Sequence, residues 1–222
     1  MLKKLTQEQL AAVLEAGIAE FAEKGPERAS MGAIARAGGL SVGVLYKYYA
    51  DKEAFFSACL ERSLDALRQA LREIESRDGH ILSGAEAAVR AVQRFAREHN
   101  AYLKLYLRLT ADCAGPYARR LADEIEGISS ELYRARIASA RESGDVRDDL
   151  DPGLFAFFFD NLLMMLQFSY CSDYYRERFR CFCGGAAEDD ELVAAQLLRF
   201  LESAFTFSRA DVRHELREGE PS

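Results

Sequence analysis

Five cysteines and three histidines are the residues of this chain best suited to metal, thiol or nucleophilic chemistry. Their spacing does not assemble a site. His80, His99 and His214 lie far apart, and no CxxC or HxxxH pair occurs. Cys181-Phe182-Cys183 is closer than the C-x₂₋₄-C pairs of zinc sites. With Cys171 it leaves a thiol-responsive site as a minor reading. Packing is the plainer role for Cys59, Cys113, Cys171, Cys181 and Cys183. An odd cysteine count argues against a disulfide framework. No nucleophile, base and orienting group stand together, so the expectation is no enzyme, no metal and no cofactor.

A second constellation has a different chemistry. Ser30 to Tyr49 reads SMGAIARAGGLSVGVLYKYY, two short helical patterns joined by Gly38-Gly39-Leu40. That is the layout of a helix-turn-helix, whose second helix enters the DNA major groove. Ser30 and Ser41 are N-cap types for the two helices. Leu45 and Tyr49, one turn apart, point inward and leave Val42, Gly43, Val44, Tyr46 and Lys47 outward. Gly43 costs a short helix about 1 kcal/mol relative to alanine. Either a tight helix contact or close approach of backbone to DNA gives that cost a purpose. The neighbouring Tyr46 and Lys47 favour DNA.

The surrounding elements read as helix throughout. Thr6-Gln7-Glu8-Gln9 has capping-box form, followed by apolar residues at helical spacing until Gly25-Pro26. Asp51 opens a long helix to about residue 77, and Ser83-Gly84-Ala85-Glu86 forms a second box before a helix through Phe95. Further patterns cover about 100–113, 116–143, 152–181 and 189–207, with Pro116 and Pro152 at helix starts and Gly144 at a helix end. No stretch alternates long enough for a confident strand. The fold class is all-α with about nine helices. The division expected is a DNA-binding domain at 1–51, a helical regulatory and dimerisation domain at 52–207, and a charged tail at 208–222. The most apolar stretch, Leu154 to Cys171, is broken by Asp160, Asn161 and Gln167 and makes a poor membrane span. The N-terminus lacks the apolar region of a signal peptide, which makes a cytoplasmic protein the expectation.

The helix-turn-helix residues also resemble the TetR family of bacterial transcriptional regulators. The resemblance runs along Phe21 to Gly25, Ser30 to Ala35, Gly39 to Tyr49 and Asp51 to Phe55. Past residue 60 it is one of architecture, with the turn from Gly144 to Pro152. It implies that the Ser30 hydroxyl contacts a backbone phosphate, with Tyr46, Lys47, Lys52 and Tyr48 as further phosphate contacts. It places Val42, Gly43 and Val44 at base edges, with Met31 reaching the groove and Arg28 and Arg36 as auxiliary contacts. Two positions depart from the family pattern. Val42 stands where a polar or basic residue is frequent, and Val44 where Thr or Ser is. Neither valine can hydrogen-bond a base, so direct readout by them reduces to thymine methyl contact.

The resemblance further implies a homodimer on a palindromic operator, joined through about 152–181 and 189–207, and a small-molecule effector. Between Phe155 and Phe182 ten aromatic residues fall in 28, with Met164 and Met165 among them. Such a lining suits either core and dimer interface or an adaptable apolar pocket. Pocket candidates are Tyr102, Tyr106, Arg108 and Asp112 on the sixth helix, Tyr133 on the seventh, and Phe158, Asn161, Met165, Gln167 and Phe168 on the eighth. A hydrophobic or amphipathic effector is favoured, and a repressor released by it is the leading function. A ligand-independent DNA-binding dimer is the nearest alternative.

The net charge of −7 first argues against a nucleic-acid partner. It is unevenly spread, however. Residues 1–52 hold seven Lys/Arg against six acids, and the remaining 170 residues hold 22 against 30. The acidity therefore belongs to the regulatory part. DNA binding must rest on placed contacts rather than a basic field.

Overall fold

The computed structural model describes residues 5–75, 80–111, 115–149 and 151–206. Among them lie α1 (Gln7–Arg28), α2 (Met31–Ala37), α3 (Val42–Tyr48), α4 (Lys52–Glu75), α5 (Ile81–Glu98), α6 (Asn100–Ala111), α7 (Gly115–Ser143), α8 (Pro152–Cys171), α9 (Asp173–Cys183), a 3-10 turn (Gly184–Glu188) and α10 (Asp190–Thr206). The described residues contain no strand, and the chain is all-α.

There is one helix more than expected, because the segment 152–181 breaks at Ser172. That residue takes extended dihedrals, and its N–H turns back to the Phe168 carbonyl at 2.9 Å. Ser and Asp favour helix starts over helix interiors, and Ser172-Asp173 begins α9. The expected cap at Ser83 is also displaced. The helix starts three residues earlier, at Ile81, where the Leu82 N–H donates to His80 Nδ1 at 3.4 Å.

The contacts group the chain into two compact units. The first holds residues 1–69 with 96–123. Thr6 and Gln9 close the capping box of α1 from both sides. Gly25, at φ 78°, interrupts the α1 spiral before Pro26, and one more turn follows to Arg28. Arg108 of α6 takes up the carbonyls freed there, donating to Ala22 O at 2.8 Å and Glu23 O at 2.9 Å. Val13, Ile18, Phe21, Ile34, Leu45, Phe55 and Cys59 are buried and form this unit's core. Gly17 lets α1 meet α4, since a β-carbon there would lie 2.5 Å from the Phe55 ring.

The second unit holds residues 70–95 with 124–222. Gly144, at φ 81°, ends α7, and the Asp151 carboxylate accepts from the Leu154 N–H at 2.8 Å with Pro152 opening α8. On α8 the inward residues Ala156, Phe159, Leu163 and Leu166 are buried, whereas Leu154, Phe157 and Phe158 stand exposed. Phe155 packs on Phe205 of α10 at 4.9 Å. Buried Gln93 satisfies its amide on the Asp190 carbonyl at 2.7 Å, beside a two-pronged Arg90–Glu191 pair. By length and hydropathy alone α8 could cross a membrane. Its buried inward face and the polar Asp160, Asn161 and Gln167 fit a core helix.

Candidate nucleic-acid interface

Local capping builds the two short helices. The Ser30 hydroxyl accepts from Ala33 N at 3.3 Å, and the Ser41 hydroxyl accepts from Val44 N at 3.3 Å. The Ser30 N–H donates to Glu20, whose carboxyl is held below the usual range first by its hydrogen bond from Lys24. Between the helices Gly39 takes φ 72°, and Leu40 N returns to Ala35 O at 2.7 Å. Only glycine adopts that φ without strain, so the turn needs it.

The second helix, α3, is anchored by one face. Leu45 is fully buried, and Tyr49 sets its ring edge-on to Phe55 at 4.9 Å. The opposite face is open, with Val42 43 % exposed, Tyr46 47 % and Tyr48 39 %, and with Lys47 and Gly43 exposed beside them. A β-carbon at Gly43 would meet nothing within 4 Å, so no helix contact explains the glycine. Val44 is half-buried.

Several expected contacts sit differently. Met31 is only 6 % exposed, packed into the first unit's core, so its side chain does not stand ready for a groove. The Lys52 ammonium donates to Glu27 O at 2.7 Å and Ala29 O at 3.5 Å, closing the end of α1 from the start of α4. The Tyr48 oxygen accepts from the Leu5 N–H at 2.6 Å, which leaves its own O–H proton for another acceptor. Arg28 donates to the Lys24 carbonyl at 3.3 Å, and Arg36 is exposed.

The candidate effector residues are divided between the two units. Tyr102, Tyr106 and Arg108 belong to the first unit, and Tyr133, Phe158, Asn161, Met165 and Phe168 to the second. Tyr102 is buried and donates to Glu15 at 2.7 Å, where Arg62 also binds; burial first, then that hydrogen bond, push its hydroxyl up to about 12. Arg108 is committed to the end of α1. Phe158 is 58 % exposed, on the outer face of α8. The Asn161 amide returns to Phe157 O one turn back at 2.7 Å. Phe168 is buried against Tyr175, and Met165 is half-buried. Asp112 lies outside the described residues, as do Cys113 and the tail at 208–222. Of these candidates Tyr133 alone lines the second unit's small apolar cavity, with Ile74, Ile81, Gly84, Ala85, Arg136, Ile137, Phe159 and Phe205. Cys171 is buried while Cys181 and Cys183 are exposed on α9. The sequence marks Asp160 only as a break in the apolar stretch Leu154 to Cys171, not as a site residue. Its helical phase with Ala156 and Leu163, both buried, puts it on the inward side of α8.

A capped helix pair joined by a glycine turn, with one face of its second helix open, defines a helix-turn-helix DNA-binding protein. Residues 13–59 match the family model described as "Bacterial regulatory proteins, tetR family", and this segment is the TetR-type DNA-binding domain of the chain. No curated protein matches the chain. Among solved structures the fold is shared with the ketosteroid transcriptional regulator KstR2 of Mycobacterium tuberculosis (TM-score 0.64, 22 % identity, 92 % of this chain and 98 % of that one). It is shared with the transcriptional regulator FadR from Bacillus subtilis, solved with stearoyl-CoA (0.63, 14 %, 85 % and 97 %). AibR, solved with isovaleryl coenzyme A and operator DNA, is a third (0.59, 20 %, 73 % and 85 %).

Proposed function

We propose that this protein is a cytoplasmic transcriptional repressor that binds a palindromic operator as a homodimer and is released by a hydrophobic or amphipathic small molecule. Residues 1–51 would act as the DNA-binding domain and 52–207 as the regulatory and dimerisation domain. The observation that carries the reading is the open face of α3, where Gly43 has free space beside Val42, Tyr46 and Lys47. Ser30, Tyr46, Lys47 and Tyr48 supply hydroxyls and an ammonium of the kinds that hold phosphates. Val42 and Val44 offer methyl groups to thymines, and Lys47 is the polar reader.

One short helix-turn-helix covers little DNA, which favours two copies on a two-fold site. The exposed Leu154, Phe157 and Phe158 of α8 and Leu192 and Phe200 of α10 are suitable surfaces for the second copy. Release follows from linkage: a ligand that prefers the conformer unable to bind DNA lowers DNA affinity, and DNA lowers ligand affinity equally. Helix α4 has residues in both units and is the candidate lever. FadR and AibR are described with acyl-CoA ligands, which supports an effector with an apolar body.

Selection of bound DNA from a random pool, followed by footprinting, tests the reading. The expected winner is a palindrome protected on one face. Failure to enrich any sequence overturns it.

A further inference from the structure

Tyr48 ends α3, one residue after Lys47, and its side chain is exposed on the open face. Its hydroxyl oxygen accepts from the Leu5 N–H at 2.6 Å, across 43 positions of chain. Leu5 immediately precedes Thr6, the cap of α1. The entry to the first helix is thereby tied to the helix that presents Val42, Gly43 and Lys47. The next two residues towards the N-terminus, Lys4 and Lys3, lie outside the described residues. Covalent geometry bounds their positions all the same. Consecutive Cα atoms are about 3.8 Å apart, and two residues span at most about 7 Å. Both lysines therefore start close to the Leu5 anchor, and each adds the reach of a four-carbon stem ending in three donors.

Charge on the reading face is the second observation. Three lysines fall among the described residues of 1–52. Lys24 is paired with Glu20 at 2.8 Å, and Lys52 closes the end of α1. Lys47 is the one that the open face of α3 presents. A chain of net charge −7 holds DNA by cations placed where the helix docks, and a tether at Tyr48 brings two more to that place.

We propose that Lys3 and Lys4 contact the DNA backbone beside the groove that α3 enters, and that Tyr48 positions them through the Leu5 N–H. The proposal rests on the DNA-binding reading above. Because the Tyr48 oxygen accepts from Leu5, its own O–H proton remains to donate to a phosphate. One side chain then serves as contact and as anchor. Glu8, in the first turn of α1, is the acid nearest to Lys4 in sequence, four positions on. A lysine held by Glu8 instead of a phosphate leaves the salt dependence of DNA binding untouched, which separates the two roles.

Titration of the selected operator duplex with the full chain, across salt concentrations, tests the proposal. Replacing both lysines, Lys3→Gln with Lys4→Gln, should lower the slope of log affinity against log salt by about 1.8 for each bound protomer. The melting temperature should stay at the parental value. Tyr48→Phe keeps the ring and releases Leu5. In that background the two lysine substitutions should cost less than half of the same step. An unchanged slope in the lysine variant overturns the contacts, and a full step in the Tyr48→Phe background overturns the positioning. Tyr48→Phe that lowers the melting temperature while operator affinity and slope stay parental shows a helix staple alone, and also overturns the positioning. A parent chain that binds no selected duplex fails earlier, at the DNA-binding reading itself, and takes the proposal with it.

Discussion

Gly38 and Val13 lie so close that a β-carbon on Gly38 would stand 2.8 Å from the Val13 Cα. The atom in the way is backbone and cannot rotate aside. Five positions later Gly43 has open space around it. Two glycines of one helix-turn-helix therefore serve different ends. Gly38 permits the turn to pack on α1, and Gly43 keeps the outer face of α3 low.

Alanine at each position separates those roles. Gly38→Ala should destabilise the protein by about 1–3 kcal/mol through overpacking. Gly43→Ala should stabilise it by up to about 1 kcal/mol through helix propensity, yet weaken operator binding. Chemical denaturation and gel-shift titration of both variants make the comparison. A Gly43→Ala protein that binds operator as tightly as the parent removes the close-approach argument.

The lysines differ in the same way. Lys47 is exposed on α3, whereas Lys52 is engaged by the Glu27 and Ala29 carbonyls. Lys47→Ala should reduce the slope of log affinity against log salt by about 0.9, the signature of one lost phosphate contact. Lys52→Met should leave that slope unchanged and cost about 1–3 kcal/mol of stability, the worth of a charged hydrogen bond. Operator titrations across salt concentrations, with melting curves, measure both effects.

Tyr102 is predicted to be structural. Its hydroxyl and the Arg62 guanidinium converge on Glu15 Oε1, at 2.7 Å and 2.6 Å. Tyr102→Phe should cost about 1 kcal/mol and leave effector affinity unaltered. A loss of stability matched by a tenfold loss of effector binding would return Tyr102 to the ligand site.

Asp160 gives the protein a pH dependence of definite sign. Its folded value of about 6 lies above the ordinary 3.8, so the native state holds the proton more tightly than the unfolded chain does. The group is neutral to stability below about pH 4 and costs stability as pH rises through 6. Asp160→Asn should therefore raise the melting temperature at pH 7.5, corresponding to at most about 3 kcal/mol, with the gain fading towards pH 4. Thermal unfolding of parent and variant across that range decides it. An equal shift at both ends shows that the carboxylate's ionisation is not the cause.

Most of the element starts and stops were legible from short stretches of sequence. Thr6 with Gln9, Ser30, Ser41, Asp51 and Asp151-Pro152 cap helices by hydrogen bonds that span three residues, and Gly39 and Gly144 take the left-handed φ that ends them. Signals that local do not depend on the rest of the chain. The all-α class and the helix-turn-helix follow from them, and so does the outward set on α3, because burying Leu45 orients a seven-residue helix.

Contacts between distant parts of the chain were decided only by the tertiary structure. Lys52 finds its carbonyl acceptor across 25 positions, Arg108 across 86 and Tyr102 its carboxylate across 87. No periodicity announces such partners. Helix α8 shows the limit most plainly. It is apolar nearly all round, so its pattern could not tell Phe158, which faces out, from Phe159, which faces in, nor show that Asp160 falls on the inward side. A helix with little amphipathic contrast takes its orientation from its neighbours, and for α8 those are α7 and α10.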